Sequence, residues 1–238
     1  MKNKQLSLIF FLIIQLYIYI MLINFNNLIN AKILALTSSI FCFIIGLFMF
    51  CKTKDYFIMI SALFFTLTTD IFSIFFKNRQ VISLYLLNIV QILYFLRTLI
   101  ESDHKKLNLF TRVLAIPICI TCGYILLKER TDISAILWII YTVNIFLNIL
   151  FTIKDIGINN FFPIGLIFLF VDAVIMMFLS LENYTIVNIP FINLLQELPF
   201  NINIMFYLPA QVILTCSIFT VNRRSFSKIR KDDIKKIP

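Results

Sequence analysis

Two carboxylic acids, Asp70 and Asp172, each interrupt an otherwise apolar stretch of sequence. An acid at the centre of a membrane-crossing helix costs roughly 2.5–3.5 kcal/mol on insertion scales, so its presence needs a reason. Two such acids have three uses. A protonated carboxyl can donate while its ionised neighbour stabilises a cation and activates water, which is general acid–base catalysis. The same pair can load and unload protons in a coupled carrier of lipids or small molecules. Each acid can also serve only as a hydrogen-bonding post inside a helix bundle.

Other polar residues accompany the acids at helical spacing. Tyr85, Asn88, Gln91 and Tyr94 recur every three residues, which keeps them on one drifting face. Tyr141, Asn144 and Asn148 repeat the pattern, and Tyr207 and Gln211 are four apart. Thr66 and Thr69 precede Asp70, and Thr37, Ser38 and Ser39 form a further hydroxyl group. Lipid offers such groups no partner, so they must face one another or water. The expectation is a polar cavity in one half of a bundle, holding Asp70 and Asp172. Asn88, Gln91, Tyr94, Tyr141, Asn144, Tyr207 and Gln211 would line it. The plainer alternative is a set of interhelical hydrogen bonds worth under ~2 kcal/mol each.

The elements that position these residues follow from composition. Of 238 residues, 61% are hydrophobic and only 14% charged, and the mean hydropathy is +0.95. A soluble domain is nearer half apolar. Charged clusters separate apolar runs long enough for a hydrocarbon core of ~30 Å, which takes about 20 helical residues. Eight runs qualify: Leu6–Ile23, Lys32–Phe50, Tyr56–Phe76, Val81–Thr98, Val113–Leu127, Ile133–Ile153, Phe161–Ser180 and Asn203–Val221. The reading is an all-α polytopic membrane protein, eight transmembrane helices in one bundle. Residues 1–221 form the transmembrane domain and residues 222–238 a basic cytoplasmic tail.

Charge asymmetry orients the bundle. With both termini in the cytoplasm, Lys32, Lys77, Arg79, Lys128 and Arg130 face outward, and the other 16 of the 21 lysines and arginines, among them Arg97 and Arg112, face inward. In that frame Asp70 and Asp172 both lie ~9–12 Å below the outer boundary, at 1.5 Å of rise per residue. The long outer connection from Leu181 to Ile202 carries Glu182 and Glu197 but no lysine or arginine.

The net charge of +9 belongs to this topology and to anionic lipid. No basic patch interleaved with aromatics suggests a nucleic-acid partner. Cys119 and Cys122 make a CxxC, yet the single histidine, His104, lies in a different, charged loop. They read as small packing residues, so no metal and no cofactor is expected. The wealth of Ile, Phe, Asn and Lys suits an AT-rich, bacterial genome, and the plasma membrane is the expected location.

Several segments resemble the YhhN-like, lysoplasmalogenase family of membrane proteins. Ser61-Ala-Leu-Phe-Phe-Thr-Leu-Thr-Thr-Asp70 followed by Leu87-Asn-Ile-Val-Gln-Ile-Leu-Tyr94 is similar to its first acidic helix and the helix after it. Pro163-Ile-Gly-Leu-Ile-Phe-Leu-Phe-Val-Asp172 is similar to its second acidic helix, and Phe206-Tyr-Leu-Pro-Ala-Gln-Val-Ile-Leu214 to its terminal Tyr-x-x-Ala-Gln element. Lys32 corresponds to its lysine at the start of the second helix. The matches are short and scattered between about residues 30 and 220. Thr69 replaces the family's usual Gly, Val171 its Ser, Ile33 a Pro and Gln91 a His. The resemblance implies about eight spans and hydrolysis of a lysolipid ether or vinyl ether bond by Asp70 and Asp172. Lys32, Asn88, Gln91, Tyr94, Tyr141, Asn144, Tyr207 and Gln211 would then hold substrate and water. The partners implied are membrane lipids, with a lysophospholipid as substrate. The alternative remains a lipid or small-molecule binding or transport protein without hydrolytic activity.

Overall fold

A computed structural model describes residues 2–24, 28–76, 80–101, 104–127, 132–153, 161–181 and 204–218. All the regular structure described is helical: α1 (Lys2–Asn24), α2 (Leu28–Phe48), α3 (Lys54–Phe75), α4 (Gln80–Glu101), α5 (Lys105–Leu127), α6 (Ile133–Ile153) and α7 (Phe161–Leu181), with α8 (Ile204–Ile218). The first six are long and apolar enough to cross a membrane; α7 and α8 carry the shorter apolar stretches Phe161–Met177 and Ile204–Ile218. The chain is thus a multi-pass helical membrane protein. The connection 182–202, expected on the outer side, and the basic tail 222–238 lie outside the described residues.

Helix α6 begins and ends where its hydropathy says it should. Asp132 caps it, its Oδ1 accepting from the Ala135 N–H at 2.8 Å. Thr53 caps α3 in the same way through the Tyr56 N–H at 3.2 Å. Helix α5 departs from expectation: it starts at Lys105 and not near Val113, and it runs on through Pro117. Hydropathy charges Asn108 and Arg112 their full desolvation cost, whereas the bundle pairs both. Threonines inside the helices cost little because each hydroxyl bonds the carbonyl one turn back: Thr66 to Ala62, Thr69 to Phe65, Thr215 to Gln211.

One apolar cluster joins seven helices through Phe11, Cys42, Met59, Val90, Ile145, Leu166 and Leu214. Helix α5 adds nothing to it among the described residues. The outward faces carry exposed Leu6, Phe10, Phe48, Val113 and Ile125, as a lipid-facing surface requires.

Close approach of α7 to α8 depends on Gly165. A Cβ there meets Leu214 Cγ at 2.7 Å and the Leu214 backbone nitrogen at 3.2 Å, and the backbone atom cannot rotate away. Gly165→Val is therefore expected to cost about 1–3 kcal/mol, in line with other overpacked sites. A lower thermal midpoint in detergent, read with a thiol-reactive dye on buried Cys42 and Cys216, checks it; an unchanged midpoint would mean that the two helices are not held together here.

Candidate functional site

Polar side chains gather at two levels of the bundle. The first is built around Asp70. Helix α3 presents the carboxylate, α2 brings Ser39, and α8 brings Tyr207. The Ser39 hydroxyl donates to Asp70 Oδ2, and the Tyr207 hydroxyl lies 2.8 Å from both carboxylate oxygens. A single phenolic proton is thus shared across the carboxylate, which fixes its plane. Asp172, on α7, is buried at 8% exposure. It lies within electrostatic range of Asp70. Tyr141, on α6, feels both acids and is wedged edge-on against Trp138 at 5.7 Å between ring centroids. Helices α2, α3 and α8 therefore meet at the Asp70 carboxylate, with Asp172 of α7 and Tyr141 of α6 within electrostatic range of it. An apolar wall around such a pair strengthens every charge and dipole inside it.

Tyr207→Phe tests the geometry of this level. It removes one hydroxyl and leaves the ring, so α8 keeps its packing while Asp70 loses its only described contact from α8. Any activity that needs an oriented Asp70 should fall about 10–100-fold, by analogy with second-layer partners of other functional ligands. The thermal midpoint should change little. A collapse of folded protein instead would make Tyr207 a structural post.

The second level lies near the opposite ends of the same helices. Arg97, on α4, is 0% exposed. Its Nε is 2.8 Å from Asp55 Oδ1 in the first turn of α3, its Nη1 donates to Ser217 Oγ of α8 at 2.6 Å, and its guanidinium sits 4.2 Å from the Phe162 ring centroid. Arg112, on α5, spreads its fork over three amide oxygens: Nε to Asn108 Oδ1 at 2.9 Å, Nη1 to Asn144 Oδ1 at 2.7 Å and Nη2 to Asn148 Oδ1 at 2.7 Å. Phe95 covers it at 4.2 Å. Such a fork needs a planar five-donor group, which only arginine supplies.

The structure sorts the residues expected to form one cavity. Asp70 and Tyr207 touch, and Asp172 and Tyr141 join their level. Tyr94 is fully buried below them beside Thr66. Gln211, 2% exposed, stands one turn along α8 from Tyr207. Asn88 is spent on helix pairing, its Nδ2 donating to the Leu84 and Leu137 carbonyls. Gln91 Oε1 accepts from Asn148 Nδ2 at 3.2 Å. Asn144 belongs to Arg112 and not to the acids. Lys32 is exposed, seven residues before Ser39 on α2 and so ~10 Å away along the axis.

Arg97 and Arg112, counted in the sequence as charges of the inward-facing side, are buried within the bundle. One signal for Arg97 was available: it continues the every-third-residue stripe of Asn88, Gln91 and Tyr94. Arg112 had no such signal, because its partners come from α6 and from the start of its own helix. No family model matches the chain, and no curated protein or solved structure matches it either.

Proposed function

We propose that the chain is a membrane hydrolase of the YhhN-like kind, cleaving an ether or vinyl ether bond of a lysolipid with Asp70 and Asp172. The observation that carries this reading is the carboxyl pair itself: two acids within electrostatic range, enclosed by Ser39, Tyr207 and Tyr141 in an apolar bundle. Structural hydrogen bonding needs one acid per helix contact and no pairing. Like charges placed together in an apolar site are expensive, and catalysis is a use that offsets the expense.

The roles follow from the hydrogen bonds. Asp70 accepts from two hydroxyls, Ser39 and Tyr207, and donors stabilise the carboxylate charge. Asp70 is then the ionised partner and Asp172 the proton donor. Asp172 protonates the outer carbon of the vinyl group, giving an oxocarbenium ion whose charge Asp70 faces. Water, activated by a carboxylate, adds to the carbon bound to oxygen and returns its proton to the pair. The hemiacetal collapses to an aldehyde and the glycerol hydroxyl, so one water is consumed and both acids are restored. Tyr141 would help order water beside Asp172.

The same reading includes eight spans with both termini cytoplasmic, in the plasma membrane of a bacterium, with membrane lipids as partners. The excess of lysine and arginine on one set of loops and ends supports it. The test is turnover by the purified protein in detergent, with mass spectrometry of released aldehyde and head group from vinyl ether, alkyl ether and acyl lysolipids. Aldehyde from the vinyl ether substrate alone is the expected result. No product from any of the three would overturn the hydrolase reading.

A further inference from the structure

From the Arg97 level toward the acids stand five atoms with no hydrogen-bond partner among the described residues, although each is shut away from solvent. They are Asn88 Oδ1, Gln91 Nε2, Tyr94 Oη and Arg97 Nη2 on α4, and Gln211 Oε1 on α8. Their side chains are 9% exposed or less, and those of Gln91, Tyr94 and Arg97 are wholly enclosed. An unpaired buried donor or acceptor costs about 1–3 kcal/mol. Five of them would consume most of an ordinary protein's stability, so partners must be present.

Four recur at three-residue spacing along α4, which turns about 60° backwards at each step, so the line winds around the helix from the α6 side at Asn88 to the α3 and α8 side at Arg97. On α8, Tyr207 marks the level of Asp70, Ser217 marks that of Arg97, and Gln211 lies between. Those marks are ten residues and so ~15 Å apart. Tyr94 Oη lies beside Thr66, whose own hydroxyl donates to the Ala62 carbonyl, so its proton is spent within α3.

Donors and acceptors are mixed along this line. An anion would suit Gln91 Nε2 and Arg97 Nη2 but would be repelled by Asn88 Oδ1 and Gln211 Oε1. An acyl chain would satisfy none of them. A ligand that both donates and accepts, repeated over ~15 Å, satisfies all five. We infer that a file of ordered water molecules runs beside α4, from the Asp55–Arg97 ion pair to the Asp70 and Asp172 carboxyl groups. It is a site for water and hydrated protons, and it gives the buried acids a route for proton exchange toward the Arg97 end of the bundle. The route stands apart from the hydrolase reading, because a carrier with the same two acids would need it equally.

Radiolytic footprinting of the wild-type protein in detergent reads this directly. X-ray pulses convert bound water to hydroxyl radical in place, so a buried ring is oxidised only where water touches it. Tyr94, 0% exposed, is the probe, and Phe11, 1% exposed in the apolar core, is the dry reference. After correction for the intrinsic reactivity of the two rings, Tyr94 should be labelled several times faster than Phe11. Equal labelling would overturn the inference. Gln211→Leu should lower labelling of Tyr94 several-fold and leave Phe11 unchanged. Labelling of Tyr94 that ignores this variant would overturn the part of the track assigned to Gln211. The wild-type comparison stands even if the variant does not fold.

Discussion

Asp172→Asn and Asp70→Asn should each lower lysolipid ether cleavage by about 10²–10⁴-fold, the range that a positioned acid or base contributes. Asparagine keeps the shape and one carbonyl oxygen. At position 172 it removes the proton that must reach the vinyl carbon. At position 70 it removes the charge that faces the cation, while its carbonyl still accepts from Tyr207. Stability should move the other way. A neutral amide is cheaper to bury than a carboxylate, so both variants should match or exceed the wild-type thermal midpoint. That opposition is diagnostic. An Asp70 kept for structure would lose folded protein in Asp70→Asn, because Ser39 and Tyr207 would be left with a poorer acceptor. Turnover beside thermal unfolding, on the same preparations, separates the two cases, and turnover retained in either variant would remove that acid from the mechanism.

Arg97→Leu should cost about 3–5 kcal/mol of stability, the penalty for stranding one member of a buried ion pair. The stranded member is Asp55, whose side chain is only 9% exposed and whose carboxylate faces the lost guanidinium at 2.8 Å. Three further contacts add to the effect: the Ser217 hydroxyl loses its donor, Phe162 loses its covering cation, and α3, α4 and α8 lose their shared tie. For a chain of this size the shift is roughly 10 °C in thermal midpoint. Asp55→Leu alone should be nearly as damaging. The double variant should recover much of the loss, since no charge is then left unpaired. Equal and additive losses in the three variants would show that the pair does not act as a unit.

Much of the fold was legible in single residues and their spacing. The eight apolar runs correspond to the eight helices among the described residues, and α6 keeps the bounds Ile133–Ile153 that hydropathy assigns. The acids were legible because a carboxylate inside an apolar run has no cheap explanation. Tyr207 was legible as one of several polar residues expected in a cavity with the acids, but nothing in the sequence singled it out as the partner of Asp70. Ser39 was visible as a polar residue at the depth of the acids, and its spacing did not tie it to Asp70 either.

Other features were invisible for one physical reason. Hydropathy prices each side chain as though lipid or water were its only neighbour. Asn108 and Arg112 therefore read as outside the membrane, and α5 as starting eight residues late. Inside the bundle Arg112 is paired by Asn108, Asn144 and Asn148, and its cost largely disappears. The same contact takes Asn144 out of the acid level, because an arginine fork from another helix competes for it. Apolar runs were enough to show a chain that crosses a membrane through helices, and to pick out the acids costly enough to demand a purpose. Which polar groups share a level depended on the packed bundle. Lipid leaves such groups no partners but one another, and the packing of α3, α4, α6, α7 and α8 chooses among them.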